Sequence, residues 1–390
     1  VDRLKVVFIT PWYPSRENPA GGAFVREQAR AVQAYDDVLV LHWAGQDRGL
    51  GQAYRLERES EQQITQDIPT YRVHYGRSPV PRTSFVLFGL PGTLAAFRHI
   101  VREGYRPDII HAHTYTSGFL AVLLGRLYHI PVVITEHSTE FPRRSLGRPQ
   151  LWMARIAFRQ ARAVMPVSRS LQHAIEAYGL KARFQVIPNA VDTDLFQVLP
   201  QARLDKQPQR LLFVGMLDAD HKKGLPYLLQ ALASLRQRRD DWQLDIVGDG
   251  PVRQEYEQLA ARLGLDDKTV FHGMQAKTQV AATMQQCDFF VLPSLFETFG
   301  VVLIEALAAG KPVIATAIGG PDEIVNEQVG LLVPPQDAAA LARAIEHMLD
   351  HHSEYPPAQL AASVRERFSY AAVGSSFDAV YRTALETEQP

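Results

Sequence analysis

Cysteine is almost missing: Cys287 is the one thiol in 390 residues, which excludes an intrachain disulfide framework and any multi-cysteine metal or iron–sulfur site. A reducing, cytoplasmic setting is the expectation. Long apolar runs are missing too. Nowhere do eighteen consecutive apolar residues occur, and the opening Val1–Thr10 reads as a strand rather than a charged-then-apolar leader. The expectation is a chain neither exported by a classical signal nor membrane-spanning. Surplus charge is also lacking, since 41 Lys plus Arg stand against 42 Asp plus Glu, so no bulk field draws the protein to nucleic acid. No short repeat recurs and no low-complexity tract is present, which removes solenoid and disordered architectures.

What is present is ordinary globular composition, 46% hydrophobic and 21% charged, at a length where a single hydrophobic core has stopped growing. Two domains are expected. Short β-branched runs alternate with longer helical patterns from end to end, the signature of parallel sheets covered by helices on both faces. The first series has strand candidates at Leu4–Thr10, Val38–His42, Thr70–Tyr75, Asp108–His111, Pro131–Thr135, Ala163–Val167 and Phe184–Ile187. The second has Arg210–Val214, Gln243–Val247, Thr269–Phe271, Asp288–Leu292, Pro312–Ala315 and Gly330–Val333. Between them Ile187–Gln209, with Pro188, Pro200 and Pro208, carries neither period and reads as a linker. Open α/β units bind ligands beyond the carboxyl ends of their strands, so two facing units place the chemistry in a cleft between them. An aromatic-rich helix over Phe368–Leu385 is long enough to return to the first domain.

Three segments can carry chemistry. In Pro293–Ala315 a strand ends at Leu292 and a helix begins near Gly300, whose unpaired N–H groups at Phe299, Gly300 and Val301 can cradle a diphosphate. Glu305, inside that helix, can accept bonds from ribose hydroxyls, and Glu297, before it, can hold sugar hydroxyls. The spacing equally allows Glu297 as a solvated loop residue favouring the helix dipole and Glu305 as an exposed helix charge. In Leu211–Leu232 a strand and a glycine turn at Gly215 precede a helix opening near Gly224. Lys223, just before it, can place a full charge on a departing diphosphate or be a plain surface lysine. In Thr10–Gln28 the pair Gly21–Gly22 permits close backbone approach to phosphate or substrate. The loop lacks G-x-G-x-x-G spacing, which argues against a nicotinamide enzyme. His111 and His113 point to one face of an extended segment and can chelate a metal, but no third ligand is near, so ordinary structural roles are favoured. Turn chemistry accounts for Gly248–Pro251 and Gly273.

The segment Glu297 to Glu305, with Phe299–Gly300 and Ala309–Val313 around it, resembles the Glu-seven residues-Glu motif of the retaining glycosyltransferases of family four (glycosyl transferases group 1). Lys223–Gly224 matches a Lys-Gly pair of that family. An arginine common just after the first glycine does not match: Met216 follows Gly215, leaving His221, Lys222 or Arg26 to supply that charge. The resemblance implies an α/β, GT-B fold of two Rossmann-like domains facing across a cleft, with the C-terminal helix crossing back to the N-terminal domain. Residues 1–190 would bind acceptor, 191–209 link, 210–367 bind nucleotide sugar, and 368–390 return. It further implies that Glu297 contacts the donor sugar, Glu305 the ribose and Lys223 the leaving diphosphate. Gly21 and Gly22 would cover the phosphates, Gly250 and Met274 frame the base, and His137, after the strand Pro131–Thr135, face the anomeric centre.

The activity so implied is transfer of a hexose from a UDP- or GDP-linked sugar, with retention and without a metal or resident cofactor, to a saccharide or lipid-linked acceptor of surface-polysaccharide synthesis. A sugar-nucleotide epimerase of similar fold and a non-catalytic sugar-nucleotide-binding partner are the alternatives. Six arginines between Arg143 and Arg162, interleaved with Leu151, Trp152, Ile156 and Phe158, form either an amphipathic helix packed on its own domain or a face for anionic lipid at the inner side of a membrane, which the apolar Ser84–Phe97 run could assist.

Overall fold

Alternating buried strands and amphipathic helices generate two separate α/β units, here described from a computed structural model over residues 2–16, 18–46, 50, 53–59, 68–76, 89–199 and 208–386. By its contacts the chain divides into Val1–Ala190 with Tyr370–Pro390, and Val191–Ser369. Part of the sequence-read linker, 200–207, and part of the apolar Ser84–Phe97 run, 84–88, lie outside the described residues. Residues 191–199 and 208–209 group with the second unit, where Phe196 is fully buried.

The first unit runs β1 (Lys5–Thr10), α1 (Ala23–Gln33), β2 (Asp37–Gln46), β3 (Tyr54–Arg58), β4 (Thr70–Tyr75), α2 (Leu90–Arg102), β5 (Ile109–His113), α3 (Thr114–Tyr128), β6 (Val132–Glu136), α4 (Arg148–Gln160), β7 (Ala163–Pro166) and α5 (Arg169–Glu176). Its strand order is β3-β4-β2-β1-β5-β6-β7. All pairs are parallel except β3–β4. Order reverses at β1, whose neighbours are β2 and β5, the kind of position beyond which open α/β sheets bind their ligands. Two sequence expectations change. Strand β3 was not expected: it is half-exposed, with four of its five residues polar or charged, and only its antiparallel register with β4 makes it a strand. Phe184–Ile187 is not a strand, since Phe184 makes a single bridge to Val164.

The second unit runs β8 (Gln209–Val214), α6 (Leu225–Arg236), β9 (Trp242–Val247), α7 (Arg253–Arg262), β10 (Thr269–Gly273), α8 (Lys277–Gln286), β11 (Phe289–Leu292), α9 (Val301–Ala308), β12 (Val313–Thr316), β13 (Gly330–Val333), α10 (Ala338–His351) and α11 (Pro357–Phe368). Its order β10-β9-β8-β11-β12-β13 is parallel throughout and reverses at β8. Such strands are covered on both sides, which is why they read as continuous apolar runs such as Phe289–Leu292.

The expected helix at Phe368–Leu385 starts two residues later. Phe368 closes α11, Ser369 is extended (φ −63°, ψ 161°), and α12 (Tyr370–Glu386) packs on α1 in the first unit. Gly374 lets the two helices meet, because a Cβ there would lie 2.1 Å from the Ala31 carbonyl oxygen. Tyr381 on α12 is fully buried and its hydroxyl lies 2.7 Å from His111 Nδ1 on β5. The returning helix is therefore part of the first core.

Candidate active site

In the second unit the two polar motifs follow adjacent strands. The Lys223 loop leaves β8 and the Glu297 loop leaves β11, and these strands pair through Leu211–Phe289 and Leu212–Phe290. The loops are pressed together. Leu295 N–H donates to the Lys222 carbonyl at 2.7 Å. Gly224 has φ +69° and abuts Pro293 so closely that a Cβ would sit 1.8 Å from its carbonyl oxygen, a conformation and a space that admit only glycine.

Lys223 Nζ consequently donates to Glu297 Oε2 at 2.5 Å, with side-chain exposures of 22% and 13%. Gly300 takes the left-handed N-cap position of α9, behind which the first N–H groups of the helix open. Phe299 is buried and packs edge-on against Phe368, so its side chain is core and only its backbone can meet a ligand. Val301, the first helical residue, is half-buried. Glu305 is buried rather than an exposed helix charge. Its carboxylate lies 3.7 Å from Lys277 Nζ, which also sits over the Phe196 ring.

Gly215 and Gly250 belong to turns after the neighbouring strands β8 and β9. They are joined by backbone bonds from Gly215 N–H to Val247 and from Leu217 N–H to Asp249, both 3.0 Å. Met274, just past β10, is exposed, as a residue available to a ligand must be. Each proposed stand-in for the missing arginine has an acidic or hydroxyl neighbour within its own unit. Lys222 is held by Asp218 at 2.7 Å, His221 Nδ1 faces the Tyr256 hydroxyl at 2.7 Å, and Arg26 lies in the first unit beside Glu27. Lys277 is the cation that sequence reasoning missed; its position at the start of α8, after an unremarkable Gln275–Ala276, carries no motif.

In the first unit, Gly22 caps α1 with φ +69°, and a Cβ would meet the Trp12 carbonyl carbon at 2.3 Å. Gly21 packs instead on the Asn18 side chain within the same loop. A buried network fixes this loop from behind. Arg72 donates to the Pro14 carbonyl at 2.6 Å, to Glu59 at 2.8 Å and to His42 Nδ1 at 2.6 Å, while His42 Nε2 reaches the Pro11 carbonyl at 3.2 Å. Burial, with the Arg72 charge beside it, lowers the His42 pKa to about 3, so the ring is neutral and can accept from the guanidinium. Phe24, two residues past Gly22, packs against His137 with ring centroids 4.6 Å apart and the rings tilted by 47°, which joins the glycine loop to the end of β6.

His137 is buried, and burial pulls it down to about 3. Its backbone is set by Glu136, which is wholly buried and accepts from Tyr115 N–H (2.8 Å), His137 N–H (2.9 Å) and Ser138 N–H (2.8 Å). Desolvation lifts the Glu136 carboxyl to about 7 against the pull of these three donors. His111 and His113 are buried strand residues. Among the described residues no group of three or more His, Cys, Asp or Glu is arranged to hold a metal.

A cavity of about 540 Å³ lies at the opposite end of β6, lined by Val132 and by Arg126, Arg159, Arg162, Lys181 and Arg183. Arg126 and Arg159 occupy the last turns of α3 and α4, where the helix dipole attracts positive charge. It is not part of the site at the strands' carboxyl ends. On α4, Ala154, Ala157 and Phe158 are buried while Trp152 is exposed against Phe119. No helix among the described residues is long and apolar enough to cross a membrane.

Comparison with known proteins agrees with this layout. Residues 197–371 match the family model for glycosyl transferases group 1, and residues 21–195 match that for glycosyltransferase family 4. The chain is 32% identical over 356 residues to a phosphatidyl-myo-inositol mannosyltransferase of Mycobacterium leprae, covering 88% of this chain and 91% of that one. It is 31% identical over 303 residues to a glycogen synthase of Mycobacterium tuberculosis, covering 74% and 71%. Among solved structures, sucrose-phosphate synthase from Thermosynechococcus elongatus superposes with a TM-score of 0.79 at 25% identity, covering 98% of this chain and 99% of that one. With both halves matched, and with relatives of this identity along most of their length, the chain belongs to family four of the glycosyltransferases and has the GT-B fold.

Proposed function

We propose that the protein transfers a hexosyl group from a nucleoside-diphosphate sugar, UDP- or GDP-linked, to an acceptor hydroxyl with retention of anomeric configuration. The observation that carries this reading is the Lys223–Glu297 pair beside the amino end of α9. A diphosphate at that end meets unpaired N–H groups and the positive pole of the helix, and Lys223 can turn from Glu297 to the phosphate oxygens. Glu297 is thereby released to sugar hydroxyls. Glu305, buried and charged-paired with Lys277, is suited to a ribose. The turns at Gly215 and Gly250 and the exposed Met274 frame the base, and the first unit offers Gly21, Gly22 and His137 to sugar and acceptor.

In the proposed same-face substitution the bond from the anomeric carbon to the diphosphate oxygen breaks as the acceptor oxygen bonds on that face, and the leaving phosphate takes the acceptor proton. Lys223 and the α9 terminus stabilise the charge that develops on the diphosphate, so no metal is called for. The acceptor class we favour is a saccharide or lipid-linked precursor of a surface polysaccharide, made in the cytoplasm. The basic α4 face with exposed Trp152 suits peripheral contact with anionic lipid. The test is a panel of sugar nucleotides screened for thermal stabilisation, followed by proton NMR of freshly formed product. A retained anomeric linkage, with turnover undiminished in excess EDTA, is expected; an inverted linkage refutes the mechanism.

A further inference from the structure

Side chains two apart on a strand share a face, so β5 presents His111 and His113 together. Their rings stack at 4.5 Å, and His113 stacks in turn on His137 at 5.4 Å and 16°. Burial pulls all three below the ordinary imidazole value. Each neutral ring therefore carries one proton, and its position is decided by its partners. His111 lies between two hydroxyls, Tyr381 and Thr135, each at 2.7 Å, and either tautomer satisfies it.

His113 is different. Its Nδ1 lies 3.1 Å from His137 Nε2, while its own Nε2 is buried with no hydrogen-bond partner among the described residues. A single proton bridges the two rings. Were it on His137, His113 would have to carry its proton on the buried Nε2, an orphaned donor, and orphaned N–H groups are rarer in folded proteins than under-satisfied acceptors. With the proton on His113 Nδ1, a lone pair is left at that position instead. His137 then accepts at Nε2 and carries its proton on Nδ1, which makes no hydrogen bond among the described residues.

We infer that His113 is a positioning residue that fixes His137 in its Nδ1–H tautomer, so that His137 meets the sugar as a hydrogen-bond donor and not as a base. This rests on the reading of His137 as a sugar contact. It also fits a reaction in which the leaving phosphate, rather than a side chain, takes the acceptor proton.

The tautomer is read directly by ¹⁵N NMR of the full-length protein labelled at histidine, with His137 assigned from its own variant. Wild type should show His137 protonated at Nδ1. His113→Leu should mix the tautomers, and His113→Asn, whose amide N–H replaces Nδ1–H, should restore Nδ1 protonation. An Nε2-protonated His137 in wild type overturns the inference, as does a tautomer unmoved by His113→Leu. If the leucine variant does not fold, wild type and His113→Asn still decide. In kinetics, with whichever UDP- or GDP-sugar supports turnover, His113→Leu should lower kcat about tenfold, the upper range for one lost hydrogen bond. Donor KM should barely move, and His113→Asn should recover most of the loss. Full transfer by His137→Ala with the predicted tautomer present would sink the sugar-contact reading alone; loss in His137→Ala with none in His113→Leu would sink this inference alone.

Discussion

Replacing Lys223 by methionine keeps the length of the side chain and removes its charge, and its effects on stability and turnover are separable. The ammonium lies 2.5 Å from a Glu297 oxygen with both side chains mostly out of water. A hydrogen bond between charged partners contributes about 1.5–3 kcal/mol, and the residual exposure argues for the lower end. Lys223→Met and Glu297→Gln should each lower stability by about 1–2 kcal/mol, while the double variant should lose less than their sum, because each single change leaves a half-buried charge without its partner. For a unit of this size the single changes lower Tm by about 2–4 °C per kcal/mol. Turnover should respond more strongly. Removing a group aimed at charge developing in the transition state typically costs about 10²–10³ in kcat, or about 2.7–4 kcal/mol. The assay is initial-rate transfer at saturating sugar nucleotide beside urea denaturation of all four proteins. Wild-type kcat in Lys223→Met would remove that residue from leaving-group stabilisation, and strictly additive stability changes would show that the pair does not form in solution.

Gly22→Ala would place a methyl 2.3 Å from the Trp12 backbone at φ +69°, so thermal denaturation should show a loss exceeding about 2 kcal/mol. Arg72→Met removes the ion pair to the buried Glu59 carboxylate and the guanidinium bond to the Pro14 carbonyl. A drop of about 3–5 kcal/mol in urea unfolding is expected, together with weaker substrate binding through the loosened glycine loop. Acid should also weaken the first unit. The rings of His42 and His137 hold back protonation to about pH 3, whereas an unfolded imidazole titrates near 6.5. Stability from each is full above pH 6.5 and falls by about 2 kcal/mol by pH 5, with His111 and His113 adding in the same direction. Glu136, raised to about 7, works oppositely and returns about 2 kcal/mol over that interval. A urea midpoint that is flat or rises from pH 7 to pH 5 would contradict this balance.

Much was legible locally. The apolar runs of β8 and β11, Gly300 before α9, and Lys223–Gly224 before α6 are written in consecutive residues, because strand burial, helix caps and close turns impose their own short-range requirements. Strand β3 was not, since its polar half-exposed residues carry no period and only pairing with β4 defines it. The break at Ser369 was hidden because both flanking segments are helical in pattern.

The sequence by itself determined which residues are punctuated by turns and caps, and so which side chains stand at strand ends: Lys223, Glu297, His137. Only the tertiary structure decided their company. Strand order set β8 against β11 and β5 against β6. That order brought Lys223 onto Glu297 across 74 positions and His113 onto His137 across 24, and it placed Lys277 by Glu305 and Arg72 behind the glycine loop. Burial then set which of these groups hold charge and which stay neutral. Periodicity constrains a residue's face, whereas the partner on that face is chosen by which strand lies next to it.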